Sequence, residues 1–152
     1  MNLPHALTTE PVAPPSHFEA IGGQAAVDRL VNAFYAQMDS RSDSHGIRAM
    51  HEPDLGHTKA VLRLYLAEWL GGPKDYTAQR GHPRLRMRHA TFPIGVPERD
   101  AWLACMAAAM QQTGVPADLH RVLMAAFFKT ADWMRNTPNP PAIPATNPKE
   151  AP

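Results

Sequence analysis

Cysteine is nearly absent from this chain: Cys105 is the only one in 152 residues. One thiol cannot close an intramolecular disulfide, form a paired-cysteine metal site or provide a C-x-x-C-H attachment for covalent haem. A reducing cytoplasm is therefore the expected location. The sequence also lacks any uninterrupted apolar run near the ~20 residues that cross a bilayer. Its first residues, MNLPHALTTEPVAPP, have neither a positive n-region nor a continuous apolar stretch, so no secretion signal and no membrane association are expected. An excess of charge of either sign is lacking as well, with 15 basic and 14 acidic residues. A formal net charge of +1 argues against nucleic acid as the main partner, because phosphate-binding domains carry a clear basic excess. Strand-length alternation is missing throughout, and no G-x-G-x-x-G follows a strand, so a bound flavin or nicotinamide is not expected.

What is present is helical periodicity framed by proline. Ten of the sixteen prolines lie outside 18–137: Pro4, Pro11, Pro14 and Pro15 before it, and Pro138, Pro140, Pro141, Pro144, Pro148 and Pro152 after it. Proline fixes φ and removes a donor, so residues 1–16 and 138–152 read as flexible tails around one domain at 17–137. Ser16 can cap a short first helix that Gly22-Gly23 ends. Val27, Leu30, Val31, Phe34, Tyr35 and Met38 then repeat at helical spacing and make one apolar stripe. Residues 39–46 read as a loop, with a short turn around 47–51. A helix over 54–70 turns Val61, Leu62, Tyr65, Leu66 and Trp69 inward until Gly71-Gly72-Pro73 stops it. The link from Pro73 to Gly81 is polar, and 82–88 can form at most a short helix. A long helix begins near Pro97, buries Trp102, Leu103, Met106 and Met110, and ends at Gly114. The last helix starts at Pro116 and carries Leu119, Val122, Leu123, Ala126, Phe127 and Thr130 inward toward Trp133-Met134. The fold class is all-α, with four substantial helices.

Between two of these helices lies GHPRLRMRHATFPIG, residues 81–95, which is too basic and too interrupted to be core. Arg80, Arg84, Arg86 and Arg88 fall in or beside it, with His82 and His89, and Pro83 and Pro93 limit helix length. His89 stands just before the point where any helix must end, so its ring can be aimed from a short, stiff segment. Imidazole is a good iron ligand and cations suit haem propionates. Tyr35, His51, Tyr65 and Trp102 are polar-tipped side chains on inward faces, and such residues need a partner for their polar atoms. Taken singly, a stripe aromatic reads as core and a histidine as surface or structural, so composition leaves haem as one option among several. His82-Pro83 reads as structural and His57 as a surface or rim residue. Cys105 reads as a buried, inert thiol, while His5, His17, His45 and His120 carry no signal.

From about Phe18 to Trp133 the sequence resembles the truncated, or two-over-two, haemoglobins, most closely their second group. The resemblance rests on Gly22-Gly23, Phe34-Tyr35, Leu-Gly-Gly-Pro at 70–73, the run at 81–95, and Arg99-Asp100-Ala101-Trp102. It implies a globin-like two-over-two α-helical sandwich around non-covalent haem b, with His89 as the proximal iron ligand. It further implies that Trp102, Tyr35 and His51 stabilise a distal ligand. Arg88 would meet a propionate, and Thr58, Leu62, Tyr65, Phe92 and Trp102 would contact the cofactor. Two donors on a charged ligand, each worth ~1.5–3 kcal/mol, would slow oxygen release roughly a hundredfold or more. The ligands so implied are oxygen, nitric oxide, carbon monoxide or peroxide. Nitric oxide dioxygenase or peroxidase-like chemistry would require an external reductase, and a homodimer is left open. The alternatives are a haem-based gas or redox sensor acting on a protein partner through the tails, and a cofactor-free helical module that uses Arg84, Arg86 and Arg88 against an acidic partner.

Overall fold

The computed structural model describes residues 13–138. Most of the two proline-rich tails, residues 1–12 and 139–152, lies outside the described residues, and with it the expectation that they are flexible. The described residues form eight α-helices and one 3-10 turn, with no strand among them: α1 (His17–Ile21), α2 (Gly23–Ser40), the 3-10 turn (Ser42–Ser44), α3 (His45–Ala49), α4 (Gly56–Trp69), α5 (Asp75–Arg80), α6 (Leu85–His89), α7 (Val96–Gln112) and α8 (Ala117–Trp133).

The apolar stripe of α2 sets the architecture. Val27, Leu30, Val31, Phe34 and Met38 are almost wholly buried, because the helix lies between α4 on one side and α7 on the other. On α7 they meet Cys105, Met106, Ala109 and Met110, and α8 closes the other side of α7 with Leu123 and Phe127. Two helix pairs, α2 with α4 and α7 with α8, thus cross as a two-over-two sandwich. Truncating one of these large seam side chains to alanine would cost about 2–5 kcal/mol.

Local chemistry fixes the ends. Ser16 Oγ accepts the Glu19 N–H at 3.2 Å, which is the expected cap of α1. Gly22 closes that helix at φ 117°, a left-handed conformation that favours glycine. Phe18 N–H donates to the Leu70 carbonyl at 2.9 Å, so α1 docks on the end of α4. The docking needs Gly72, where a Cβ would lie 2.6 Å from the Phe18 ring. At the start of α7, Glu98 Oε2 accepts the Gly95 N–H at 3.0 Å, and Pro97 occupies the first turn.

Three expectations need correction. The segment read as a loop at 39–46 is ordered as the end of α2, the 3-10 turn and the start of α3. Its polar residues are spent on one another: buried Ser44 Oγ reaches the Met38 carbonyl at 2.7 Å, and Arg48 bonds Asp39 and the carbonyls of Glu52 and Pro53. The polar link after Pro73 contains α5, whose first turn is held from α4 by Glu68, which accepts both the Thr77 hydroxyl at 2.6 Å and the Thr77 N–H at 3.2 Å. On α8, Val122 and Trp133 face outward, because the buried register runs through Leu123 and Phe127 and leaves their flank exposed.

Candidate haem site

The short helix α6 presents His89 from its last turn. None of its residues is buried, and no other described helix packs extensively on it. It starts at Arg84, the only described non-glycine residue with positive φ, at 42°. The strained turn is steadied by His82 Nδ1, which accepts the Arg84 N–H at 3.0 Å. His89 Nδ1 lies 2.6 Å from the Leu85 carbonyl. A carbonyl can only accept, so Nδ1 carries the hydrogen, and in the neutral ring Nε2 keeps its lone pair for a metal. This is the arrangement that orients a histidine ligand through its second nitrogen.

Past α8, Asn136 clasps the same segment. Its Nδ2 donates to the Phe92 carbonyl at 2.8 Å and the His89 carbonyl at 3.3 Å, while its Oδ1 accepts the Ile94 N–H at 2.8 Å. His89, Arg88 and Phe92 therefore form one group on α6 and the turn after it, anchored from the far end of the chain.

A second group gathers on α2, α7 and the turn after α3. The Tyr35 and Phe34 rings meet edge to face at 5.0 Å, the Phe34 and Trp102 rings lie 5.2 Å apart, and Tyr35 meets the His51 ring at 5.9 Å and 75°. His51 Nδ1 is 2.7 Å from the Ile47 carbonyl, so its Nε2 too is left as an acceptor in the neutral ring. Burial pushes the Tyr35 phenol well above its ordinary range, which keeps its proton available for donation. Neither the Tyr35 hydroxyl nor the Trp102 indole N–H has a hydrogen-bond partner among the described residues. Two donors beside the core are thus unspent, and neither is among the buried unpartnered atoms, so both open onto accessible space.

The inner side of α4 is equally incomplete. Only Leu66 and Ala67 are buried; Thr58, Val61, Leu62, Tyr65 and Trp69 are half-buried, although Leu62, Tyr65 and Trp69 pack on the core cluster. No ring contact or side-chain hydrogen bond joins the His89 group to the Tyr35 group among the described residues.

Cations stand at the margin. Arg88 is exposed. Arg80 was not assigned a role by sequence reasoning, yet its Nε is buried without a hydrogen-bond partner and its guanidinium stands 6.0 Å from the Tyr76 ring, which itself meets Tyr65 at 5.7 Å. Asn136 was missed too, since nothing local marks a residue that acts 47 positions away. Cys105 is fully buried and free, and burial raises its thiol, partly offset by a hydrogen bond with Ser44. The burial expected of this thiol is what the structure contains. A histidine with a free Nε2, a half-buried apolar face on α4, unspent donors and two arginines form a donor set that fits a haem.

An all-helical two-over-two sandwich with such a set defines a globin, and comparison with known proteins agrees. The bacterial-like globin family model matches residues 16–136. Group 2 truncated hemoglobin YjbI of Bacillus subtilis is 38% identical over 120 residues, covering 78% of this chain and 87% of that one. The group II 2-on-2 hemoglobin of Agrobacterium tumefaciens superposes with a TM-score of 0.79 at 39% identity, covering 84% of this chain and 98% of the other. The hemoglobin of Chloroflexus aurantiacus does so with a TM-score of 0.75 at 44% identity, covering 82% and 100%. The chain belongs to the bacterial-like globin family, within its group II truncated haemoglobins, a family that implies a haem cofactor and small-ligand binding.

Proposed function

We propose that the protein holds non-covalent haem b on His89 and binds oxygen tightly, with slow release, in a site that also admits nitric oxide, carbon monoxide and peroxide. The haem would supply a redox-active iron that takes small ligands on its open face. The observation that carries the reading is the pairing of His89, its Nδ1 fixed on the Leu85 carbonyl, with two unspent donors on Tyr35 and Trp102.

In this reading His89 Nε2 would hold the haem iron, and the Leu85 carbonyl, accepting from Nδ1, would make it a better electron donor. Trp102 Nε1–H donates to a polar diatomic ligand. Tyr35 donates as well, or turns its hydroxyl to His51 Nε2, so His51 sets how often the phenol is free. Thr58 leaves room on α4 where a bulkier side chain would crowd the ligand. Leu62, Tyr65 and Phe92 exclude water from the porphyrin faces, and Arg88 and Arg80 neutralise its carboxylates. Tight, slow oxygen binding suits redox turnover of nitric oxide or peroxide better than delivery. Such turnover consumes electrons from an external donor, and the cytoplasm would provide one.

The test measures oxygen dissociation, nitric oxide consumption and peroxide turnover on one haem-loaded preparation. Slow oxygen release with electron-dependent turnover of either substrate supports the reading. Fast release with no turnover contradicts it.

A further inference from the structure

Beside the haem-site residues of α6 lies a surface of side chains with no role in that site: Arg84, Arg86 and Met87 with the end of α8. From Tyr76 to Pro97 the chain carries four arginines and no acidic residue. Arg84 and Arg86 are both exposed, and Arg86 reaches the end of α8. There the Arg86 guanidinium lies 4.6 Å over the Trp133 ring, so α6 and α8 form one continuous surface. Trp133 and Met87 are 63% and 61% exposed, and Phe128 stands beside them with Arg99 at 4.9 Å over its ring. Arg86, Phe128 and Trp133, with Lys129, Asp132 and Arg135, line a shallow cavity of about 460 Å³. Asp132 is already engaged by Arg99 and Arg135, whereas Arg84, Arg86 and Lys129 have no carboxylate partner among the described residues. An exposed tryptophan and arginine ringed by unpaired cations has the composition of a protein-binding hot spot.

We infer that this α6–α8 face docks an acidic electron-donor protein. The inference rests on the proposed haem function, which requires an external donor. Charge complementarity selects the occupant. A second copy would bring the same cations against themselves, and an anionic bilayer would require Trp133 to insert a ring that Arg86 already covers. Location decides what the donor does, since Arg86 lies three residues before His89 and Asn136 ties the end of α8 to the His89 carbonyl. A donor seated here is next to the iron ligand. One electron passes from the reduced donor to ferric iron, leaving the donor oxidised and the iron ferrous, and no proton moves.

The experiment uses the haem-loaded ferric full chain and reduced plant-type ferredoxin as an acidic probe. Reduction followed by stopped flow is compared between wild type, the double variant Arg86→Glu/Lys129→Glu and Trp133→Ser, with reduced methyl viologen as a small donor that needs no docking. The expected result is a ferredoxin rate that falls with ionic strength in wild type and drops by roughly tenfold or more in the charge reversal. Methyl viologen rates should stay equal across variants. Calorimetric titration with oxidised ferredoxin should show binding to wild type that the double variant loses. Equal ferredoxin rates, a matching fall with methyl viologen, or binding to phosphatidylglycerol vesicles but not to ferredoxin would each overturn the inference. A wild-type chain that takes up no haem would refute the proposed function itself, before any donor is added.

Discussion

Replacing Trp102 with phenylalanine isolates the chemistry of the ligand side. The indole is half-buried, 5.2 Å from the Phe34 ring and 5.6 Å from the Phe127 ring. A phenyl ring preserves most of that stacking and removes one group, the Nε1–H, which has no partner within the described protein. A hydrogen bond to a charged or partly charged acceptor contributes about 1.5–3 kcal/mol. At 1.36 kcal/mol per decade in rate, its loss should speed oxygen dissociation by roughly tenfold to 150-fold. Carbon monoxide carries much less negative charge when bound, so its dissociation should change far less. The assay is stopped-flow displacement of oxygen by carbon monoxide, with carbon monoxide release followed by nitric oxide. An oxygen rate within twofold of wild type would refute the donor role. Equal acceleration of both ligands would refute it differently, by showing that Trp102 acts through shape.

Three further outcomes follow from the surrounding structure. Asn136→Ala removes three hydrogen bonds from the His89 segment, a loss of about 1–3 kcal/mol, and should speed haem transfer to apomyoglobin roughly tenfold while raising amide exchange in α6; an unchanged transfer rate contradicts the clasp. Gly72→Ala would put a Cβ 2.6 Å from the Phe18 ring and 2.8 Å from the Ala67 carbonyl, so urea denaturation should show a loss of about 1–3 kcal/mol, and an unmoved midpoint would mean that α1 does not dock as described. Hydrogen bonding from Arg99, then from Arg135, holds the Asp132 carboxyl below its ordinary value. Its stabilising effect is therefore full above the unfolded carboxylate pKa near ~3.9 and is lost as pH falls through the lower folded value. The thermal-stability advantage of wild type over Asp132→Asn should shrink below about pH 4, and a pH-independent difference would exclude the ion pair as its source.

Where structure follows from neighbours in sequence, the sequence was readable. The α2 stripe, the Ser16 cap, the Gly71-Gly72-Pro73 stop and the Pro97 start all rest on interactions within a turn or two, and periodicity or residue type reveals them. The 3-10 turn and α5 do not. Ser44 is held by the Met38 carbonyl and Thr77 by Glu68 of another helix, so no local pattern announces either. On α8 the apolar period was visible but its edge was not, because Val122 and Trp133 sit one position off the buried register and only packing decides their side. The site divides in the same way. His89 was visible as a histidine at the end of a basic, proline-limited run, and Trp102 and Tyr35 through family motifs. The proximity of Tyr35 and His51, the Asn136 clasp and the unpartnered Arg80 Nε are tertiary facts that spacing does not encode.

The claim on which the rest depends is that His89 ligates haem iron. Adding haemin to wild type and to His89→Gly, with and without free imidazole, tests it through the Soret band and the iron–histidine stretch in resonance Raman of the ferrous state. A five-coordinate histidine signature in wild type that vanishes in His89→Gly and returns as an imidazole signature is the predicted result. A His89→Gly variant that keeps the wild-type stretch without imidazole would contradict the account.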